Sequence, residues 1–205
     1  SQIHGGGEVV YLEKTLFENC GNLEKLIIND FSKETALKIK QQYQEKNYFS
    51  ENFDYVTDKL PLNFFYSGLI KIFFPESKII LCQRNKMDNV YSIFRTFFPS
   101  GNLFSYDLND LRNFYILYME IIKFWNDEGV EFINVEYEKL INNFEAEVKK
   151  MLTSLKIVYE ESCINFYQNK RVVQTASFDQ VRKPIFKSSI EKWKNYKNQL
   201  ATLSK

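Results

Sequence analysis

The sequence contains little of what several classes of protein depend on. Cysteine occurs three times in 205 residues, and this odd, widely spaced set argues against a disulfide framework and for a reducing, cytoplasmic compartment. His4 is the only histidine, which leaves a zinc cluster without ligands and a Ser-His-Asp triad without another base, so no metal is expected. No apolar run approaches the roughly 20 residues of a membrane-spanning helix, and no charged and then apolar leader opens the chain, so no membrane contact is predicted.

Net charge is also nearly absent, since 27 basic residues offset 26 acidic ones. Without a basic surface field, binding to nucleic acid is not expected, and any anion site has to be local.

The length and the 44% hydrophobic content suffice for one core, so residues 1–205 are predicted to form a single domain. The chain starts at Ser1 without an initiator methionine, and we expect this domain to be N-terminally incomplete.

The sequence does contain an alternation of strand and helix signals. Short runs at 53–58, 78–83 and 131–136 predict strands, and helical periodicity follows each of them. The mainly aliphatic run at 78–83 is typical of a strand buried on both faces. A last amphipathic helix is predicted at 188–200. Strands separated by helices indicate an α/β layer fold with a mostly parallel central sheet.

The transition from strand to helix after residue 83 is a candidate anion site. Arg84 ends the strand, Asn85 or Asp88 is available to cap the helix, and Ser92 follows about one turn into it. Unpaired N–H groups and the positive end of the helix dipole favour an anion there, and Arg84 with Ser92 would bind a phosphate. On these residues alone, an arginine that caps the sheet and a serine that faces solvent explain the pattern equally well.

Polar residues also follow the other predicted strands. In open parallel sheets, ligands bind beyond the carboxyl ends of the strands. This rule brings together five positions: Lys59, Arg84, Ser92, Tyr137 and the loop around Arg182. Each position has an ordinary alternative, such as a surface lysine or a tyrosine at the end of a strand, so the prediction depends on their shared location.

Five motifs, in order and spread over nearly the whole chain, resemble a known family. They are residues 4–8 (His-Gly-Gly-Gly-Glu), 58–63 (Asp-Lys-Leu-Pro-Leu-Asn), Arg84 with Ser92, 135–140 (Val-Glu-Tyr-Glu-Lys-Leu), and 175–184 (Thr-Ala-Ser-Phe-Asp-Gln-Val-Arg-Lys-Pro) followed by 188–193 (Ser-Ser-Ile-Glu-Lys-Trp). Together they resemble the sulfotransferases that use 3'-phosphoadenosine-5'-phosphosulfate (PAPS), in the bacterial branch similar to tyrosylprotein sulfotransferases. The resemblance implies a P-loop-NTPase-like three-layer α/β fold and transfer of sulfate from PAPS to a hydroxyl or phenol, protein tyrosine being one such acceptor.

The resemblance assigns six residues to the nucleotide, either PAPS or its product 3'-phosphoadenosine-5'-phosphate (PAP): Arg84, Ser92, Tyr137, Ser177, Arg182 and Lys192. It implies that Arg84 and Ser92 bind the 3'-phosphate, the arginine through bidentate charge-assisted bonds and the serine through its hydroxyl. Tyr137 would line the nucleotide pocket. The remaining three residues would contact the phosphates of the donor.

The resemblance also implies two catalytic residues. Glu8 would be the general base, and Lys59 would stabilise charge on the bridging oxygen as sulfate leaves. Sulfuryl transfer resembles phosphoryl transfer, in which positioning and charge stabilisation supply most of the catalysis. A phenolic acceptor with a pKa of about 10 is protonated near neutrality, so a carboxylate has to take its proton. On spacing alone, Glu8 would instead be a glutamate that complements a helix dipole.

One segment of the family pattern does not occur in the 205 residues. Family members carry, before the motif at residues 4–8, a first strand and a phosphate loop of the Pro-Arg-Ser-Gly-Thr-Thr type, which holds the 5'-phosphosulfate of the donor. We therefore expect the intact parent to be a sulfotransferase, and this truncated chain to bind PAPS poorly and to be inactive. The alternative is a non-catalytic binding or scaffold module that retains the fold. A kinase would need a Walker loop and magnesium-binding carboxylates, which the sequence does not show.

The acceptor is left open by the sequence. Peptide tyrosine, a carbohydrate, a lipid and a small phenol all carry a suitable hydroxyl. Acceptor specificity is expected to lie in loops such as 99–106, which contain no recognisable motif.

Overall fold

The computed structural model of the chain describes residues 3–8, 10–21, 32–46, 53–169 and 182–204. Contacts within the chain divide it into two compact units, an N-terminal unit (residues 1–77) and a C-terminal unit (residues 78–205). The single domain expected from the sequence stays a prediction.

The N-terminal unit contains a pair of parallel strands with helices between and after them. Its elements are β1 (Ile3–Gly5), α1 (Tyr11–Cys20), α2 (Lys33–Lys46), β2 (Tyr55–Thr57), a 3₁₀ helix (Pro61–Tyr66) and α3 (Ser67–Phe73). Ile3 lies opposite Tyr55, and Gly5 lies opposite Thr57. Because the two strands run in the same direction, both end at the same edge of this small sheet.

Local sequence signals set the bounds of these helices. α1 ends at Gly21, whose φ of 82° is accessible to glycine without a steric penalty. α2 begins after Ser32, whose Oγ accepts a hydrogen bond from the backbone N–H of Thr35 at 3.1 Å. Pro61 opens the next helical segment, whose first turns are 3₁₀ rather than α. The helices enclose a core made of Leu12, Leu16, Ile39, Tyr43, Tyr66 and Phe73.

The C-terminal unit contains a second parallel pair of strands. Its main elements are β3 (Ile79–Gln83), α4 (Lys86–Phe94), α5 (Leu108–Asp127), β4 (Phe132–Glu136), α6 (Tyr137–Asn142) and α7 (Phe144–Leu155). The two strands pair along their full length, from Ile79 opposite Phe132 to Gln83 opposite Glu136. α4 follows β3 and α6 follows β4, so a helix begins close to the carboxyl end of each strand.

The end of the chain packs on α4 and α5. One buried cluster of the C-terminal unit consists of Val90, Leu111, Leu200 and Leu203. The amphipathic helix predicted at 188–200 is wrong, because the structure has turns there and the short 3₁₀ helices Lys192–Tyr196 and Ala201–Ser204. The physical reason lies at Glu191, whose φ of 60° is left-handed and interrupts a right-handed helix.

β3 is not buried on both faces, contrary to the prediction. Leu81 is buried, whereas Ile80 is 40% exposed and Cys82 is exposed. Successive side chains of a strand point to opposite faces, so this pattern belongs to a strand with one covered and one accessible face. Within the described residues, β3 pairs with β4 on one side only.

The fold class is confirmed. Both strand pairs are parallel, and the connection within each pair contains helices, as parallel pairing requires. None of the helices in the described ranges is both long and apolar enough to cross a lipid bilayer.

Candidate functional site

Two of the predicted site residues meet at the carboxyl ends of β3 and β4. The last register pair is Gln83 with Glu136, and Arg84 and Tyr137 are the residues that follow. The guanidinium carbon of Arg84 lies 4.6 Å from the ring centroid of Tyr137. Such a stack fixes the plane of the guanidinium and is worth about 0.5–2 kcal/mol, depending on its exposure. The parallel register therefore creates a contact between two residues that are far apart in sequence.

Asn85 and Glu138, the residues that follow Arg84 and Tyr137, add a second link. The backbone N–H of Asn85 donates to Glu138 Oε1 at 2.9 Å. Asn85 also caps α4, since its Oδ1 accepts from the N–H groups of Met87 and Asp88 at 3.0 and 3.3 Å. Of the two caps that the sequence offered, Asn85 is the one used. The start of α4 is thereby fixed directly after Arg84.

The contacts of Arg84 leave part of its guanidinium available to a ligand. Nη2 donates to the carbonyl oxygen of Ser189 at 2.6 Å. Nε is buried and has no partner among the described residues. Of the five N–H groups of an arginine, both on Nη1 and the second one on Nη2 have no hydrogen bond to another described residue. They suffice for two charge-assisted hydrogen bonds to a phosphate.

Ser92 lies farther along α4 than the sequence suggested. The helix begins at Lys86, so Ser92 is nearly two turns into it rather than one. A rise of 1.5 Å per residue puts it about 9 Å along the axis from that start. Its side chain is half-buried, and in the described part of the chain no hydrogen bond joins it to Arg84. The structure thus brings Arg84 to Tyr137, whereas a shared phosphate site with Ser92 stays a prediction.

The other nucleotide candidates lie in the last part of the chain. Lys192 is exposed and follows Glu191, whose backbone N–H donates to Asp88 Oδ2 at 2.7 Å. Arg182 is half-buried. Ser177 lies outside the described residues. The structure therefore attaches the backbone next to Lys192 to α4, and the roles of these three candidates stay predictions.

In the N-terminal unit, the two predicted catalytic residues form an ion pair. Glu8 follows β1 and Lys59 follows β2, and the Glu8 carboxylate contacts the Lys59 ammonium. Two backbone hydrogen bonds join the loops, from Gly6 N to Thr57 O at 2.7 Å and from Lys59 N to Gly7 O at 2.9 Å. Gly7 has a φ of 84°, so the turn that leads into Glu8 depends on a residue without a Cβ. Parallel strands thus place both side chains at one edge.

The surroundings of this pair suit proton transfer coupled to charge stabilisation. Burial lowers the pKa of Lys59 from its ordinary value of 10.5. Its side chain nevertheless remains 58% exposed, and that of Glu8 33% exposed, so a ligand can reach both. A carboxylate that can accept a proton and an ammonium that can meet developing negative charge lie side by side.

Sequence reasoning missed the residues that hold these loops in place. Asp58 Oδ2 accepts from Tyr43 Oη at 2.5 Å and from Asn63 Nδ2 at 3.3 Å, which ties the loop before Lys59 to α2. In the C-terminal unit, the buried carboxylate of Asp88 was considered only as a helix cap. The one available signal was position, since Asp58 directly precedes a candidate catalytic lysine and Asp88 lies in the first turn after the candidate arginine.

Comparisons with known proteins identify a family and a fold for the chain. Residues 21–161 match the sequence model described as the sulfotransferase family. An uncharacterised protein of Aquifex aeolicus (strain VF5) is 33% identical over 150 residues, which are 71% of this chain and 20% of that protein. The chain therefore spans about a fifth of the length of this relative.

A solved structure shows a similar fold. The sulfotransferase domain from the curacin biosynthetic pathway superimposes with a TM-score of 0.50 at 15% sequence identity, covering 93% of this chain and 78% of that domain. At this identity the match concerns the fold alone. It confirms the α/β fold that the five motifs implied.

Proposed function

Because the chain belongs to the sulfotransferase family, we propose that it is part of an enzyme that moves the sulfuryl group from PAPS to a hydroxyl group. Sulfotransferases of this family generally use PAPS as the sulfate donor. The donor, the acceptor and the residue roles given below are proposals for this chain.

One observation carries the proposal. In each unit, two residues chosen from sequence motifs contact each other where two parallel strands end: Glu8 with Lys59, and Arg84 with Tyr137. The carboxyl ends of parallel strands are where open α/β sheets bind their ligands. Each of the two contacts joins residues from separate motifs.

We assign the 3'-phosphate of the donor to Arg84. Its guanidinium is oriented by the ring of Tyr137 and by the carbonyl oxygen of Ser189, so little side-chain freedom remains to be lost on binding. The N–H groups that can still bind a dianionic phosphate lie on Nη1 and Nη2. The further donor contacts that we propose are Ser92, Ser177, Arg182 and Lys192.

The 205 residues contain no phosphate loop of the Pro-Arg-Ser-Gly-Thr-Thr type. We therefore propose that this chain supplies the 3'-phosphate side of the donor site, and that by itself it binds PAPS weakly and turns over little or none of it. Sulfuryl transfer should therefore be assayed with the natural protein that contains the chain.

Glu8 and Lys59 carry the chemistry in this proposal. The acceptor oxygen attacks sulfur, its proton passes to the Glu8 carboxylate, and the bond between sulfur and the bridging oxygen of the donor breaks, which releases PAP. The Lys59 ammonium lies beside Glu8 and stabilises the negative charge that grows on the bridging oxygen. A general base of this kind contributes about 10²- to 10⁴-fold to the rate.

We propose a phenol as the acceptor, with protein tyrosine as the leading candidate. The motif at residues 4–8 is similar to that of the tyrosylprotein branch, and a phenol with a pKa of about 10 needs a base near neutrality. Carbohydrate and small-molecule hydroxyls are the competing acceptors.

The test uses sulfur-labelled PAPS and the natural protein that contains this chain. Label should pass to tyrosine peptides in preference to carbohydrate acceptors, and the Glu8→Gln variant should lose this transfer while still binding PAP in calorimetric titration. Label on carbohydrates alone would contradict the choice of acceptor. PAP binding without transfer to any hydroxyl would favour the non-catalytic binding module, and the absence of both would refute the proposed function.

A further inference from the structure

A buried carboxylate outside the predicted site holds the end of the chain against α4. Asp88 lies in the first turn of α4 and is 2% exposed. Its Oδ2 accepts a hydrogen bond from the backbone N–H of Glu191 at 2.7 Å. Two residues earlier, the carbonyl oxygen of Ser189 accepts from Arg84 Nη2 at 2.6 Å. α4 and the residue before its cap therefore hold both sides of the turn at 189–191.

This turn contains a conformation that its own residue does not favour. Glu191 has a φ of 60° and a ψ of 15°, where the Cβ of an L-residue crowds the backbone. Its side chain does not explain this, because it is exposed and pairs with Lys194 at 2.6 Å. A residue in such a conformation persists only where its surroundings hold it, and such sites cluster at functional positions. The hydrogen bond that the Glu191 N–H donates to Asp88 ties the backbone of Glu191 to α4.

The location of Asp88 offsets the cost of burying its charge. A buried carboxylate is unfavourable unless it is hydrogen-bonded or compensated. The positive end of the α4 dipole lies at the same turn, and charge-assisted bonds to a backbone N–H are stronger than neutral ones. Oδ1 is also buried and has no partner among the described residues, so Glu191 is the one tertiary contact of this carboxylate in that part of the chain.

We propose that Asp88 is a positioning residue for nucleotide binding: it fixes the turn at 189–191 and thereby places the adjacent Lys192 at the ligand that Arg84 binds. The identity of that ligand rests on the proposed function. Arg84 contacts Ser189 and Asp88 contacts Glu191, so the cation at 192 and the guanidinium belong to one assembly built from segments about a hundred residues apart. Asp88 itself is 2% exposed and is not expected to touch the nucleotide.

Hydrogen exchange tests whether Asp88 holds the turn, without any ligand. In the natural protein that contains this chain, Asp88→Ala should speed amide exchange at 187–196 and leave exchange in α5 unchanged. The matched control is Asp110→Ala, which removes an exposed aspartate from the first turn of α5 and should leave exchange at 187–196 unchanged. Asp88→Asn keeps an oxygen acceptor of the same shape and should retain most of the protection of the 187–196 amides against exchange. If the alanine variant fails to fold, the asparagine variant is measured in its place. Unchanged exchange at 187–196 in Asp88→Ala, or equal loss of protection in α5, would overturn the proposal.

PAP titration tests the consequence for binding. Lys192→Ala removes one charge-assisted bond to the nucleotide and should weaken PAP binding about tenfold. Asp88→Ala should weaken it by about the same factor, because Lys192 is then no longer held in place. If Asp88 acts through Lys192, the double variant should lose about tenfold to twentyfold rather than the roughly hundredfold of two independent changes. A fully additive loss would overturn the proposal. Failure of the unaltered protein to bind PAP would refute the proposed function, and the exchange experiment would then still decide whether Asp88 holds the turn.

Discussion

Replacing Arg84 by alanine should weaken binding of PAP about a hundredfold and leave binding of AMP, which lacks the 3'-phosphate, unchanged. The magnitude follows from the donors that the structure leaves available. One N–H of Nη2 is bonded to Ser189 and Nε is buried, so the guanidinium can offer two charge-assisted bonds at once. At about 1.5 kcal/mol each, they amount to about 3 kcal/mol, which is roughly a hundredfold in the dissociation constant.

Arg84→Lys separates charge from geometry. Lysine keeps the positive charge but loses the planar fork and the stack on Tyr137, which lies 4.6 Å from the guanidinium. It can make one of the two bonds, so we expect a loss of about tenfold. Arg95→Ala is the matched control, because Arg95 is an exposed arginine at the other end of α4 that also lies over a tyrosine ring, that of Tyr91 at 5.8 Å.

The Arg84→Ala variant should also lower the stability of the protein. Arg84→Ala removes a charged hydrogen bond of about 1.5–3 kcal/mol and a stack of about 1 kcal/mol. It also removes a buried Nε that has no described partner, which returns about 1 kcal/mol or more. We therefore expect a net loss of about 2 kcal/mol in the free energy of unfolding, measured by urea denaturation.

Calorimetric titration with PAP and AMP decides the assignment of Arg84. An equal loss of affinity for both nucleotides would show that Arg84 does not read the 3'-phosphate. So would a PAP affinity in Arg84→Ala that matches the Arg95→Ala control.

Four further predictions concern the N-terminal unit. Glu8→Gln in the natural protein should lower kcat for sulfuryl transfer about 10²- to 10⁴-fold with little change in KM for PAPS, and a near-normal kcat would remove Glu8 from the mechanism. Because burial lowers the pKa of Lys59 below 10.5, kcat should fall at alkaline pH, and this fall should begin at a lower pH than the pKa of an exposed lysine. The residual activity of Lys59→Met should not show this alkaline fall in a kcat–pH profile. Burial and an adjacent carboxylate raise the pKa of Tyr66 to about 12. The stabilising contribution of Tyr66 is therefore complete below about pH 10 and is lost as the pH rises toward 12. Over this window the midpoint of urea denaturation should fall less in Tyr66→Phe than in the unaltered protein. Leu16→Ala, in a fully buried position, should cost about 2–5 kcal/mol in urea denaturation, whereas Leu37→Ala, 57% exposed, should change it by less than about 0.5 kcal/mol.

The sequence alone determined the features that depend on neighbouring residues. Gly21 ends α1, Ser32 begins α2 and Asn85 caps α4, because each of these side chains or backbones satisfies groups only a few positions away. Periodicity predicted the strands at 53–58, 78–83 and 131–136 with helices after them, and hence the α/β fold class, whereas β1 was not among the predicted strands. The candidate residues after the strands also followed, since parallel strands end at one edge.

Only the tertiary structure decided which of these candidates meet and what holds them. Glu8 pairs with Lys59 and Arg84 stacks on Tyr137 because the register of each parallel pair brings the two strand ends together. The helix expected at 188–200 was replaced by turns, since Arg84 and Asp88 bind the backbone of a turn that is about a hundred residues away in sequence. Hydrogen bonds over such separations leave no periodic pattern in the chain, because they depend on where the folded segments lie and not on which residues are neighbours.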